Sequence, residues 1–377
     1  MSETSKSLKQ KSREKVAQWK KLVAEFQKSC PKKASWQLVN TLGSYVALWT
    51  LMYFALKVSW WLAIPLAIVA GGIVIRAFII LHDCGHGSFF KSKQANDFWG
   101  AVCGFITFTP YHHWRWEHSI HHATSGDLDR RGVGDIWTMT VEEYKESSKL
   151  LQFGYRLVRN PIVLFVIGPI YLFVLRERFP QSRAGIQQRN SVYFTNIALL
   201  CIAIALSLTF GLWTYLILQF IIIAVASASG VWLFYVQHQF EDAYWENSEN
   251  WDYTEAAIKG SSFYKLPRVL QWFSGNIGFH HIHHLSPGIP NYNLERCHHS
   301  DPMFKNVKPL TFFKSFKSMT YRLWDEAGKK LITFQEFRNL RKEEIKTQKE
   351  EAEKAARLRK ERAEEDVAVG RAHRDLM

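Results

Sequence analysis

The chain has 377 residues, room for one large domain or two small ones, and carries 48 Lys and Arg against 34 Asp and Glu, a net charge of +14. Its mean hydropathy of −0.16 looks soluble, but the charge gathers at the ends and the apolar residues in blocks, and 15% aromatics with 15 Trp and 26 Phe suit a protein that meets lipid. The basic residues flank the apolar blocks and form no nucleic-acid motif, so the charge is assigned to membrane-helix flanks and nucleic acid is excluded as a partner.

Residues 1–35 hold ten Lys/Arg against three Glu and no apolar stretch of signal-peptide kind, so no secretory leader is expected. Val16, Trp19, Leu22, Val23 and Phe26 recur at helical intervals and predict a basic amphipathic helix. Its apolar face suits either an anionic membrane surface or the protein's own cytosolic part.

Two apolar blocks follow, about 36–56 and 59–81, each long enough to span about 30 Å of hydrocarbon, and their short link makes them a hairpin. Arg76, near the end of the second, is an ionisable residue at membrane depth and so a functional candidate. A second pair, about 192–210 and 212–236, turns around Gly211. The outer links hold Lys57 and little else, whereas 82–191 holds thirteen Lys/Arg. The positive-inside rule then places both termini and 82–191 in the cytoplasm. The apolar piece 161–175 is about 22 Å long as a helix, too short to cross, and with Arg156 and Arg159 on one side and Arg176 and Arg178 on the other it is expected to lie in the interface.

Beyond 236 the chain is polar with short apolar pieces around 312–324, which predicts a cap of cytosolic helices. The stretch 339–366, mostly Lys, Arg and Glu, reads as a solvated helix or a disordered tail. The fold class is thus all-α, a multi-pass membrane protein of four helices in two hairpins under a helical cap. The divisions are 1–35, a membrane domain 36–300, an extension 301–340 and a charged tail 341–377. Five widely spaced Cys are expected to be free thiols.

The chemistry lies in the histidines. His82-Asp-Cys-Gly-His86 begins where the second span ends, and its i, i+4 spacing sets both rings on one face. His118-Ser-Ile-His121-His122 places three imidazoles within one turn. His280-His-Ile-His283-His284 repeats that geometry, with His281 a rival for His280 by sequence, although spacing favours 280. His238 stands where the fourth span leaves the membrane. Four spans deliver all nine to one side, whereas a crossing at 161–175 would separate His118 from His283. A structural zinc takes four ligands and a catalytic one three, so nine fit two ions with open positions. Imidazole suits iron, zinc and copper alike. His112 and His299, outside these clusters, read as surface or hydrogen-bonded side chains.

With these residues in view, His82-Asp-Cys-Gly-His86-Gly-Ser-Phe, Trp114-Arg-Trp-Glu-His118-Ser-Ile-His121-His122 and Gly278-Phe-His280-His-Ile-His283-His284 resemble the three histidine boxes of membrane fatty acid desaturases. The resemblance covers roughly 36–300 and is closest to the acyl-lipid delta-12 (omega-6) type. It implies a non-haem di-iron centre held by His82, His86, His118, His121, His122, His280, His283 and His284, with His238 as the further ligand between boxes two and three. It also implies O2 as co-substrate, external electrons, and a cis double bond introduced into an acyl chain. The run 124–135 fits no regiochemistry, and omega-3 or delta-9 desaturation stays open.

Removing hydrogens from unactivated methylenes is beyond any side-chain acid or base. Carboxylates should orient the rings, and Asp83, Glu117, Asp135 and Glu241 are the candidates, of which two are expected to serve. Trp114, Trp116, Trp232 and Phe234 are candidate walls for an acyl path. The chain carries no dinucleotide fingerprint and no cysteine run for an iron–sulfur cluster, so a separate donor of ferredoxin or cytochrome b5 type is expected. The substrate would be an acyl-lipid, or an acyl-CoA, and the location a bacterial inner membrane. A hydroxylase or ketolase with the same boxes is the nearest rival. A membrane zinc hydrolase would need fewer histidines and a His-Glu-x-x-His on a span, and a metal transporter would need histidines at mid-membrane.

Overall fold

The computed structural model describes residues 19–305 and 307–374, with side chains as far as 362. Four helices are long and apolar enough to cross a membrane: α1 (Pro31–Leu56), α2 (Trp60–Gly85), and, after α3 (Lys93–Ile106), the histidine-bearing α4 (Tyr111–Thr124) and the amphipathic α5 (Lys149–Val158), α6 (Ile186–Phe210) and α7 (Leu212–His238). The chain is therefore a membrane protein. At 1.5 Å per residue each span is about 38–40 Å long, against about 30 Å of hydrocarbon. The surplus turns carry the histidines at the ends of α2 and α7 out to headgroup level.

Both hairpins form as the spacing predicts. Ser59 caps α2 by accepting from the Trp61 N–H, and Gly211, at φ +81°, makes the turn between α6 and α7 that an L side chain would strain. Helix α2 is central, packing on both α1 and α7. Its Ala63, Ala67 and Ala70 are fully buried against Trp49 and Met52 of α1 and Leu218 and Ile222 of α7. Small residues there allow the close approach that membrane helices use in place of a hydrophobic drive. Helix α6 presents most of its surface outward, with Ile197, Leu200 and Leu208 exposed, as a lipid-facing helix should.

The short segment at 161–175 is helical but irregular, with π turns at Val163–Ile167 and Tyr171–Leu175, and is bent by 59° from α5. Asn160 and Pro161 stand at the break, where proline disfavours a continuous helix. Leu150 and Phe153 of α5 are exposed, an apolar face turned outward. Of the cations flanking the segment, Arg159 is fully buried, donating to Tyr235 Oη at 3.2 Å, Gln239 Oε1 at 2.9 Å and Tyr321 O at 3.0 Å. It ties the bend to the end of α7.

The cap departs from the purely helical expectation. β1 (Met139–Thr140) pairs in parallel with β4 (Tyr321–Asp325), which pairs antiparallel with β5 (Lys330–Thr333), while β2 (Phe263–Lys265) pairs in parallel with β3 (Pro309–Thr311). The hairpin buries Leu323, Trp324, Leu331 and Ile332, too few apolar positions at helical spacing to read as anything but short segments. The charged C-terminal stretch is one long helix, Phe334–Arg374, exposed along its described polar length.

The N-terminal segment chooses between its two expected resting places. Trp19, Val23 and Phe26 are buried against Ile282, Leu285, Ile289 and Leu294 of the cap, so the apolar face packs on the protein itself. Val16 lies outside the described residues. The five cysteines are free.

Candidate metal centre

Box one grows out of the end of α2. His82 lies in its last turn and His86 caps it, its N–H donating to the His82 carbonyl at 3.1 Å. Helix α4 crosses beside it, fixed by Tyr111, whose hydroxyl donates to the Cys84 carbonyl at 2.8 Å. Box two rides on α4, where Trp114 stacks on His118 with ring centroids 4.4 Å apart. Box three occupies a short buried helix, α8 (His280–Leu285), and His238 ends α7.

All nine imidazoles meet. His82, His86, His118, His122 and His283 form one group whose ligand atoms lie within 4.8 Å of one another, and His121, His238 and His284 form a second. His280 joins the second, its Nε2 at 3.0 Å from the His238 Nε2. His118 and His122 approach Nε2 to Nε2 at 3.1 Å, and His122 and His283 at 3.0 Å. Two nitrogens bound at right angles ~2.1 Å from one ion would stand ~3.0 Å apart, so the spacing fits shared ions. The Nε2 atoms of His86, His121 and His284 are buried with no hydrogen-bond partner, the state of a ligand atom reserved for a metal. The two groups and their open nitrogens fit two ions held by imidazole.

The charge state suits that use. Burial, then the neighbouring imidazoles, push His86, His118, His122, His280, His283 and His284 well below the ordinary histidine value. They are neutral at pH 7, the form that binds a metal.

Two of the four candidate carboxylates touch box rings. Asp83 Oδ1 lies 3.0 Å from His82 Nδ1, and Asp135 Oδ1 lies 2.6 Å from His121 Nδ1. The Gly260 carbonyl, 3.2 Å from His238 Nδ1, orients that ring in the same way. Each contact leaves Nε2 to point into the cluster. Asp83 also accepts from the Asn291 N–H and its side-chain amide at 2.5 and 2.8 Å, binding box one to the segment after box three. Asp135 comes close because Gly134, at φ +74°, brings the loop against His121, where an added Cβ would stand 3.1 Å from that residue's own.

Glu117 and Glu241 serve elsewhere. Glu241 accepts from Lys317 and Tyr321 on the cap surface. Glu117 pairs with Arg176 at 2.5 Å and accepts from Gln181. His113 and Glu177 complete that cluster, whose ligand atoms also lie within 4.8 Å of one another. Arg176 bridges both carboxylates and already supplies the compensating cation. Burial, then Glu117, pushes the Glu177 carboxyl up to about 7.

Other candidates separate likewise. His281 turns away from the centre, its Nε2 3.2 Å from His298 Nδ1 and 3.3 Å from the Phe304 carbonyl, so His280 fills the box position. Phe234 packs on His121 and His238, and Trp114 on His82 and His118. Trp232 packs on Phe165 and Phe316, and Trp116 on His113. Arg76, buried in α2, stacks over Trp272 and donates to its carbonyl, tying the span to the segment before box three. Spacing carried no sign of Asn291, Gly260 or His298. Asp83 and Asp135, by contrast, are two of the four carboxylates that the sequence offers for orienting the rings.

A family model described as fatty acid desaturase matches residues 59–312. The chain is 47% identical over 326 residues to a Bacillus subtilis protein named fatty acid desaturase, covering 86% of this chain and 93% of that protein. It is 28% identical over 316 residues to a Synechocystis sn-1 oleoyl-lipid 12-desaturase, covering 78% and 84%. It is 27% identical over 256 residues to a Synechocystis sn-1 acyl-lipid omega-3 desaturase (ferredoxin), covering 63% and 67%.

Proposed function

The chain belongs to the fatty acid desaturase family, and we propose that this oxidoreductase introduces a cis double bond at the delta-12 (omega-6) position of an acyl-lipid by O2-dependent chemistry at two irons. The observation that carries this reading is the convergence of nine histidines into two adjoining groups at the ends of α2 and α7. The regiochemistry is supported by relatives named 12-desaturases.

The residues that would hold the irons are His82, His86, His118, His122 and His283 on one side and His121, His238, His280 and His284 on the other. Bound there, the pair supplies the oxidising power that side chains lack. The reaction balances as –CH2–CH2– + O2 + 2e− + 2H+ giving –CH=CH– + 2H2O. The chain's own part is positioning. Asp83, Asp135 and the Gly260 carbonyl fix three rings in the tautomer that leaves Nε2 free. Trp114 and Phe234 pack apolar surface against the histidines and would exclude water beside an acyl chain.

The topology we infer has both termini and the histidine-bearing cap in the cytoplasm of a bacterial cell, since the outer turns carry Lys57 and little other charge. Electrons would come from a separate protein of ferredoxin or cytochrome b5 type; a relative's name includes ferredoxin. The test is expression in a host whose lipids hold only monounsaturated chains, with mass spectrometry of the products. A loss of two mass units per chain, with the new bond at delta-12, supports the proposal. A gain of sixteen would make the protein a hydroxylase, and a new bond elsewhere would overturn the regiochemistry.

A further inference from the structure

The end of the bundle away from the histidines holds a second feature. A cavity of about 480 Å³ lies between α1 and α6, lined also by Tyr215 and Gln219 of α7 and by Phe105, Ile106 and Phe108 at the link between α3 and α4, a volume within the range of ligand pockets, about 300–1,000 Å³. Its walls are almost wholly apolar, Trp49 and Leu206 among them, and Val46, Phe54 and Ile202 at its rim are exposed, so it opens sideways to the bilayer.

Two buried polar groups in this wall, the Trp49 indole nitrogen and the Gln219 amide nitrogen, have no hydrogen-bond partner among the described residues. Thr50 and Thr209 give their hydroxyls to carbonyls of their own helices, Val46 at 3.0 Å and Ala205 at 3.2 Å. Gln219 lines the cavity, is only 8% exposed, and its amide nitrogen has no hydrogen-bond partner. An unsatisfied donor in hydrocarbon is costly, and no water reaches it from the lipid side. The cavity therefore calls for an occupant with an apolar body and an oxygen acceptor.

Depth separates that occupant from the substrate. Gln219 lies nineteen residues from His238 along one helix, about 28 Å, nearly twice the ~15 Å of hydrocarbon in one leaflet. A single acyl chain held at the histidines does not reach it. Measured from the other end, Gln219 is about 10 Å from Leu212, near the interface of the opposite leaflet, where Lys57 sits over the Tyr53 ring. Ester carbonyls of lipids lie close to that level.

We propose that this cavity is a site for a separate ester-linked lipid of the leaflet opposite the histidines, with one acyl chain between α1 and α6 and its ester carbonyl accepting from the Gln219 amide. The inference stands whether or not the regiochemistry above holds.

The test is retention of lipid by the full-length protein through detergent exchange, read by native mass spectrometry without an electron donor present. The probes are dioleoyl phosphatidylglycerol and its diether analogue, which keeps the headgroup and chains and lacks the carbonyls. Wild type should hold one ester lipid, and about three- to tenfold less of the diether, the effect of losing one buried hydrogen bond. Gln219→Met should bind both probes equally weakly, and Leu206→Trp, which fills the cavity, should retain neither. Equal retention of the two probes by wild type would overturn the proposal and depends on no variant folding. So would a Leu206→Trp protein that still holds the lipid, or one that shifts the double bond in the product, since the occupant would then be the substrate's own chain.

Discussion

Replacing Asp135 by Asn tests whether the two histidine groups hold separate ions. The carboxylate lies 2.6 Å from His121 Nδ1 and also accepts from the Gly132 N–H at 3.4 Å. Asn preserves shape and removes charge. A hydrogen bond to a charged group contributes about 1.5–3 kcal/mol and a neutral one about 0.5–1.5, so the loss is about 1–2 kcal/mol, or roughly five- to thirtyfold in affinity. That agrees with the roughly 10–100-fold effect of altering such partners of metal-binding histidines. The loss should fall on the ion at His121, His238, His280 and His284, because the ring that Asp135 orients, His121, belongs to that group. The assay is chelator competition on iron-loaded protein in detergent, with iron counted per chain over time. The variant should release one iron early and keep the other at the wild-type rate. Release of both together, or an unchanged profile, would refute the division of the site.

Two further outcomes follow from residues outside the ligand set. His281→Ala should keep its iron while losing about 2 kcal/mol of stability, because it deletes a buried side chain bonded to His298 and the Phe304 carbonyl. His280→Ala should lose iron, and thermal melts with metal analysis separate the two; iron loss in the His281 variant would contradict the assignment. Burial holds His281 at about 3 and His298 at about 4, below the ~6.5 of an unfolded histidine. Between pH 4 and 6.5 the unfolded chain binds more protons, so stability of the metal-free protein is lost as pH falls through 6.5, by up to ~1.4 kcal/mol per pH unit for each ring. His298→Phe should flatten part of that slope between pH 7.5 and 5; an unchanged slope would show that His298 is not a contributor.

The spans, the hairpins and the boxes were legible because each depends on local pattern: apolar length, a glycine turn, imidazoles three and four residues apart. The choice of His280 over His281 was legible for the same reason, since 280, 283 and 284 share a helix face. What stayed hidden depends on which distant segments meet. Glu117 and Asp83 both stand beside a box histidine in sequence, yet of the two it is Asp83 that faces a box ring, because Arg176 and Gln181 arrive from 59 and 64 residues away to claim Glu117. The amphipathic N-terminus suited lipid and protein equally until the cap beneath box three supplied an apolar surface for Trp19 and Phe26. Arg159 looked like an interfacial cation, and only the fold reveals the four acceptors that bury it. The β hairpin at 321–333 was too short for its alternation to stand out from a helix.

The most direct measurement is the metal content of the protein purified in detergent from iron-replete cells. The account predicts two irons per chain, with iron lost when either His118 or His283 is changed to Ala, one from each of two boxes that the fold brings into a single group. One tightly held zinc per chain with no iron would contradict it.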